Sequence, residues 1–454
     1  MKDAGKATSR KKSSKPKDSP TESDQRPHGV SRITNDFLRD IRSLQFAEEE
    51  TGKVLRASAQ KHISAFGAFL RDFSQKKEGT TLKFEVPVER GGELKRLAHE
   101  LSASAGSLPI FHRGLFLVLV SKWDAYFGSI LRWIYRTRPE IIDNSTRTIS
   151  FAELKEINSI EAAREKIIDD EVSVVLRESH GDQFEYLERK LSVSLRKLDI
   201  WPNFIELTQR RNLIAHANGK ISDQYLKVCR EHNVVLDQAC KIGSELEVRP
   251  KYLRESCDHL AELGFKLSQV LWRKLQESNR ADNHLLDTTY DMLKAEQYDL
   301  AIRLLTFALT PPMKLEEARS RYVCVVNLAL AHKWLQNEEK CAEIIAKEDW
   351  SAVPLDLQLA IAVLRNERNK AISLMKKIGT SGEITKQNYE EWPLFDKLRE
   401  TTEFVGAYRE IFKTEFEIRE VPTEVASALA LSQGPEEALA DEPPPKRERR
   451  PRRA

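Results

Sequence analysis

Residues 201–220, WPNFIELTQRRNLIAHANGK, have the features of one complete helix, and they decide how the chain is interpreted. Pro202 suits the first turn of a helix, where no N–H is needed, and Gly219 suits the left-handed residue that ends one. At 100° per residue, one apolar arc contains Phe204, Leu207, Ile214 and Ala215. Arg211 falls within the same arc, although a guanidinium is costly to bury without a partner. Such a conflict indicates a functional or paired charge.

Two polar residues share the neighbouring face of this helix, because Asn212 and His216 are four positions apart. The run RNLIAH at residues 211–216 resembles the R-N-x-x-x-H signature of HEPN domains. Domains of that family are all-α bundles, and many are metal-independent endoribonucleases. A second Arg-x4-His, Arg254 with His259, lacks the Asn and lies among polar residues. The alternative interpretation is a surface helix with a solvated Arg and an incidental His.

The resemblance implies a catalytic pair, Arg211 and His216, completed where two protomers bring their motif helices together in a two-fold dimer. Arg211 would hold the scissile phosphate, and His216 would serve as general base or acid for attack by the RNA 2′-OH. Asn212 would orient His216 or the phosphate. Arg210 would either extend the phosphate contact or pair with Glu206, four residues earlier.

The most apolar stretch, residues 115–135, contains three charged residues and is expected to be a buried helix rather than a membrane span. Pro109 is expected to open this helix. HEPN-like domains often place a carboxylate near the Arg from a helix of this type, and Asp124 matches that position. Asp124 would offset the desolvation of Arg211. The alternative is that Asp124 faces solvent.

The composition divides the chain into four regions. Residues 1–34 and 427–454 are polar and basic and are expected to be disordered, with a role either in RNA contact or only in solubility. Residues 35–278 are expected to form the HEPN-like helical domain, and residues 281–415 a set of helical hairpins. Tyr298, Ala301, Leu305 and Ala308 have the spacing of a tetratricopeptide repeat, so the second region resembles degenerate repeats of that kind. A plain helical bundle is the alternative.

Local patterns predict further elements within the first domain. Residues 35–75 have helical periodicity, and residues 81–88, TLKFEVPV, alternate like a short edge strand. Residues 180–182, His-Gly-Asp, are expected to form a turn, and residues 184–198 an amphipathic helix. The fold class predicted by these patterns is all-α.

Charge and cysteine content narrow the classes of function. The net charge of +3 gives no global argument for nucleic acid. Five cysteines without C-x2-C spacing predict a reduced, cytoplasmic protein, and the polar N-terminus lacks the apolar core of a secretory signal. Metal-ligand spacings, glycine-rich phosphate loops and G-x-S-x-G are absent from the sequence, so we expect no metal and no cofactor.

These observations leave two hypotheses. The first is a HEPN-type endoribonuclease acting on RNA as a homodimer, with a protein partner on the helical hairpins and no membrane association. In bacteria, such proteins resemble toxins or phage-defence effectors. The second is a HEPN-like dimer that binds RNA or nucleotide without cutting it and serves as an interaction scaffold.

Overall fold

The computed structural model describes residues 29–73, 75–78, 81–143, 148–157, 159–276 and 278–416. Over these residues the protein is all-α apart from one short β-hairpin, as predicted. The chain divides into two compact units, Met1–Ile345 and Ala346–Ala454, whereas the sequence predicted a division between residues 278 and 281. Most of the two predicted tails, residues 1–28 and 427–454, lies outside the described residues.

The first unit is built from successive helices, most of them joined by short connections and one pair by the longer segment 232–249. A β-hairpin between the first two helices pairs Gln75 with Phe84. The elements are α1 (Gly29–Arg71), β1 (Gln75–Glu78), β2 (Thr81–Phe84), α2 (Gly91–Thr137), α3 (Glu140–Asp143), α4 (Phe151–Glu156), α5 (Ile160–Val175), α6 (His180–Leu191), α7 (Trp201–Ala217), α8 (Asp223–Glu231), α9 (Pro250–Leu275), α10 (Ser278–Lys294), α11 (Tyr298–Leu309), α12 (Ala318–Trp334) and α13 (Glu338–Ala346). The boundary between the units falls at the end of α13.

Helices α1, α2 and α9 form the centre of the first unit and meet around one glycine. The rings of Phe37 and Tyr126 stack with their centroids 4.3 Å apart, and the Tyr126 hydroxyl donates to the Gly264 carbonyl at 2.7 Å. A Cβ at Gly264 would lie 2.6 Å from the Phe37 ring, so a larger residue would force these helices apart. This packing fixes α2, which also contacts α5 and α7.

The first helix begins at Gly29, so the predicted boundary at residue 34 was placed too late. Val30 and Thr34 are fully buried, and the Thr34 hydroxyl donates to the Val30 carbonyl at 2.8 Å. The polar composition of this segment hid two apolar residues, Val30 and Ile33, and the burial of Val30 draws the last residues of the predicted tail into the bundle.

Pro109 does not open a helix, because α2 continues through it from Gly91 to Thr137. The proline removes one donor to the carbonyl four residues earlier, and both Pro109 and Ala105 are exposed, so water can satisfy that carbonyl. Among the described helices, α2 is long and apolar enough for a membrane span by length and composition. Its C-terminal half is nevertheless packed against other helices of the unit, with Phe127, Ile130 and Leu131 fully buried.

Three helical hairpins share one turn conformation. In each, the residue in the middle of the turn has a positive φ: Glu296 at 57°, Gln336 at 61° and Asn366 at 59°. The next residue donates its N–H to the carbonyl five positions earlier, at 2.8–2.9 Å each time. The pairs are α10–α11, α12–α13 and, in the second unit, α14–α15. The structure therefore contains a repeated hairpin, which the unequal spacing of the alanines obscured in the sequence.

The second unit has its own core. Its elements are α14 (Leu355–Leu364), α15 (Arg368–Ile378), α16 (Lys386–Glu391), a 3-10 turn (Pro393–Phe395), α17 (Asp396–Arg399) and α18 (Thr402–Phe412). Tyr389, Phe395, Phe404 and Tyr408 are fully buried together. These aromatic residues lie near the C-terminal end of the predicted hairpin region, residues 281–415.

Candidate functional site

The motif helix α7 ends in a turn that only glycine can complete. Asn218 is left-handed with φ 50°, and Gly219 follows with φ 79°. A Cβ on Gly219 would lie 2.8 Å from the carbonyl oxygen of Leu246, and the Gly219 carbonyl accepts from the Leu246 N–H at 2.9 Å. The end of the helix is therefore anchored to the segment before α9, and His216 lies in the last turn.

Leu213 sets the rotation of the helix. It is buried in a small cluster with Ile221, Tyr225, Cys229 and Leu246. Ala215, expected within the buried arc, is exposed, because at this end the chain packs on the side of Leu213 rather than on the predicted arc. Phe204 and Leu207 are buried as predicted. The motif half of α7 consequently presents one face to solvent.

Arg211 lies at the edge of this exposed face, next to Asp124 on α2. Its Nη2 is 3.7 Å from Asp124 Oδ2, so the predicted pairing is present as a long ion pair. Its side chain is 27% exposed, and its buried Nε has no hydrogen-bond partner among the described residues. Because Nε is itself buried, the donors open to an anion are the Nη groups, which form no hydrogen bond with a described residue.

Asp124 has a second partner that sequence reasoning missed. His180 Nε2 lies 2.9 Å from Asp124 Oδ1, and the imidazole is 9% exposed. Residues 180–182 were expected to form a turn, but they are the first turn of α6, capped by Ser179, which accepts from the Asp182 N–H at 3.2 Å. The Ser-x-x-Asp spacing was the available signal, since it is typical of a helix N-terminus. The predicted amphipathic helix ends at Leu191.

A cluster of aromatic side chains holds the three helices that carry these groups. Trp123, one residue before Asp124, is fully buried, 4.9 Å from Phe204 of α7 and 6.2 Å from Phe184 of α6 between ring centroids. The Phe184 ring also packs 4.9 Å from Trp201 at the start of α7. The backbone positions of Asp124, His180 and Arg211 are therefore set by close packing rather than by their own charges.

His216 points away from this group. It is exposed, and among the described residues none forms a hydrogen bond or ion pair with its imidazole. Five positions along a helix rotate a side chain by about 140°, so Arg211 and His216 cannot both face one small ligand within a single protomer. Asn212 is partly buried on the same side as His216.

Arg210 belongs to a separate, buried network. Its Nε donates to Glu206 at 2.7 Å, its Nη1 donates to the Glu247 carbonyl at 3.1 Å, and its guanidinium lies 3.8 Å above the Tyr252 ring. The Tyr225 and Tyr252 hydroxyls donate to the same carboxylate at 2.8 Å and 2.6 Å. Burial, and then the charge of Glu206, raise the pKa of both tyrosines well above the usual range. Of the two predicted roles for Arg210, the geometry matches pairing with Glu206.

A third arginine reaches the end of the motif helix from α2. Arg113 donates through Nη1 to Asn218 at 2.9 Å and forms an ion pair with Glu245 through Nη2. Because Asn218 lies two residues after His216, the Arg113–Glu245 pair ties the exposed end of α7 to α2. Nothing in the local sequence around Arg113 signalled this contact, which joins residues 105 positions apart.

The second Arg-x4-His sequence has a different environment. Arg254 is exposed on α9, and His259 is partly buried, with burial lowering the pKa of its imidazole. Among the described residues, no group of three His, Cys, Asp or Glu side chains is arranged to hold a metal ion. The fold and this site define an all-α protein in which an arginine, a buried histidine and a carboxylate from three different helices lie together. No protein-family model, curated protein or solved structure matches the chain.

Proposed function

We propose that this protein is a metal-independent endoribonuclease of the HEPN type, with a site formed by two protomers. The observation that carries the proposal is Arg211, a partly exposed guanidinium whose Nη groups form no hydrogen bond with a described residue and which has only a 3.7 Å contact to Asp124. It lies within the R-N-x-x-x-H motif, in the same exposed half of α7 as His216. A phosphate group is the ligand that a guanidinium in this state binds best.

The chemistry follows from the two side chains. His216, as a neutral imidazole, takes the proton from the RNA 2′-OH, and the 2′ oxygen attacks the adjacent phosphorus. Arg211 holds the non-bridging oxygens and stabilises the charge that develops on them. The bond to the 5′ oxygen breaks, and this oxygen receives a proton from the imidazolium of the other protomer. The products are a 2′,3′-cyclic phosphate and a 5′-OH, and DNA is spared because it lacks the 2′-OH.

A two-fold dimer supplies the second pair of groups, and α2 offers a surface for it. One face of α2 has small or apolar residues that are exposed or partly exposed, among them Gly106, Ile110, Gly114, Val118 and Ala125. Ile110 is 72% exposed and Val118 is 44% exposed, and a Cβ at Gly106 or Gly114 would meet no atom within 4 Å. At 100° per residue around the helix axis, these residues lie next to the side of α2 from which Asp124 contacts α7. Small residues allow close approach of a second helix, which would bring the two motif helices together.

In this proposal, the repeated hairpins bind a protein partner. Three pairs of helices joined by the same turn resemble tetratricopeptide-like units, a kind of scaffold that binds proteins. A protein partner bound there would control the nuclease, as expected of a toxin or phage-defence effector.

One observation favours a second candidate, a dimer that binds RNA or nucleotide without cutting it. A general base is usually oriented by another group, and the His216 imidazole has no such partner among the described residues. In that case Arg211 would bind the phosphate and His216 would add a contact but no chemistry.

The test is a cleavage assay on a mixed RNA pool in EDTA, with analysis of the ends. Wild type, Arg211→Ala and His216→Ala are compared, and Arg254→Ala in the second Arg-x4-His serves as the matched control. Cleavage by wild type and Arg254→Ala alone, leaving cyclic phosphates, supports the nuclease. RNA binding that depends on Arg211, without cleavage by any form, supports the binding protein. Cleavage that survives His216→Ala rejects the proposed mechanism.

A further inference from the structure

Asp124 is shared by two side chains that it contacts unequally. Its Oδ1 is 2.9 Å from His180 Nε2, within hydrogen-bond distance, whereas its Oδ2 is 3.7 Å from Arg211 Nη2, beyond it. A carboxylate beside a guanidinium ordinarily forms a short and often bidentate pair. The imidazole therefore has the closer contact with the carboxylate, although the arginine carries a full charge.

The position of His180 explains this preference. The imidazole is almost fully buried, its ring stands edge-on to Phe204 with 5.6 Å between centroids, and its backbone begins α6. Packed in this way, the side chain directs Nε2 at Asp124. Asp124 is 38% exposed, so packing alone leaves its carboxylate free to turn. The hydrogen bond from His180 is the contact that fixes it.

We propose that His180 is a positioning residue that holds Asp124 back from Arg211, so that the guanidinium keeps its donors for a phosphate group. Without the His180 donor, the carboxylate would turn toward Arg211 and form a short ion pair that competes with the phosphate. With it, Asp124 lies close enough to stabilise the partly buried guanidinium and too far away to occupy its donors. The inference rests on the proposed function only in taking the anion to be the phosphate of RNA.

The binding test uses a fluorescent single-stranded oligonucleotide with 2′-O-methyl groups, which cannot be cleaved by 2′-OH attack. His180→Phe keeps a planar ring and removes the donor, and we expect its affinity to be about tenfold lower than that of wild type, the loss of one charge-assisted contact. His180→Gln restores an N–H donor and should recover most of the affinity. Measurable binding with equal affinity for wild type and His180→Phe would overturn the proposal.

A double variant separates positioning from simple loss of structure. Asp124→Asn removes the competing charge, so His180→Phe with Asp124→Asn should bind as tightly as Asp124→Asn alone. A fold damaged by the phenylalanine would not be repaired by a second substitution at Asp124. If the double variant stays as weak as His180→Phe, His180 has only a structural role and the inference fails.

Crystal structures of wild type and His180→Phe at neutral pH provide a readout that requires neither binding nor activity. The distance between Asp124 and the Arg211 guanidinium should shorten from 3.7 Å to the range of a charge-assisted hydrogen bond, about 2.8 Å. An unchanged distance overturns the inference even if the protein cuts RNA. A shortened distance in a protein that neither binds nor cuts RNA leaves the positioning role standing and rejects the proposed function.

Discussion

Arg210 and Arg211 are neighbours in the chain and have opposite environments. Arg210 is paired with Glu206 at 2.7 Å and covers the Tyr252 ring, whereas Arg211 has an unused donor and one contact at 3.7 Å. Successive residues on a helix point about 100° apart, so two identical side chains meet different surroundings. The first arginine stabilises the fold, and the second is available for a ligand.

We therefore expect substitutions of the two arginines to change the free energy of unfolding by different amounts. Arg210→Ala leaves the buried Glu206 carboxylate without its cation and should lower the free energy of unfolding by about 3–5 kcal/mol. Arg211→Ala should change it by less than about 1 kcal/mol, since its only ion pair is long and partly exposed. Urea unfolding measures both. Arg249→Ala, which removes an exposed pair with Glu247, is the control and should have almost no effect.

The opposite ranking would contradict the structure. If Arg211→Ala were as destabilising as Arg210→Ala, Arg211 would be a structural residue, and its place in the proposed site would lose its basis.

The exposed face of α2 gives a prediction about the dimer. Val118→Arg places a charge in the proposed interface and should convert dimers to monomers at micromolar concentration, with loss of cleavage and little loss of stability. Sedimentation velocity measures the association. Val54→Arg on α1, at a residue that is 67% exposed, is the matched control and should remain dimeric. A wild-type monomer under the same conditions would argue against a site formed by two protomers.

His284 should make the stability of the first unit depend on pH. Its Nε2 donates to Asn35 at 2.8 Å, and its Nδ1 accepts from Gln269 at 3.3 Å, an arrangement that requires the neutral ring. Burial lowers the pKa of His284 from 6.5 to about 4. The unfolded chain therefore binds this proton more readily, and the stability present above the unfolded pKa is lost as the pH falls from about 6.5 toward about 4.

The measurement compares the free energy of unfolding at about pH 7.5 and about pH 5 for wild type and His284→Asn. Wild type should lose about 2 kcal/mol more than the variant over this interval. His99→Gln, at an exposed histidine, should behave like wild type. An identical pH dependence for wild type and His284→Asn would show that the buried imidazole does not resist protonation.

Thiol labelling tests the packing around the cysteines. Burial raises the pKa of Cys229 to about 11 and the pKa of Cys257 and of Cys324 to about 12, and Cys341 is also buried. Cys240 alone among the five is partly exposed. A thiol reagent at neutral pH should modify one residue rapidly and the other four only after unfolding, and mass spectrometry identifies the site. Cys240→Ser should abolish the rapid phase, whereas a second fast-reacting thiol would contradict the burial pattern.

The sequence by itself determined the fold class and the extent of α7. These follow from local information: apolar periodicity, and Pro202 and Gly219 at the helix ends. The contact of Arg211 with Asp124 was expected only from the resemblance to HEPN domains, because the two residues lie on separate helices. Pairing with Glu206 could also be predicted from the sequence as one of two roles for Arg210, because the two residues are one helical turn apart.

Only the tertiary structure decided which of these side chains contact a protein partner and which remain exposed. His180 reaches Asp124 from 56 positions away, and Arg113 reaches Asn218 from 105. Such contacts depend on how separate helices are brought together by the packing of Trp123, Phe184 and Phe204, which no local pattern encodes. The same packing leaves His216 exposed and Arg211 with a free donor. Helical periodicity sets the direction in which a side chain points, but the neighbouring helices decide whether it meets a partner or solvent.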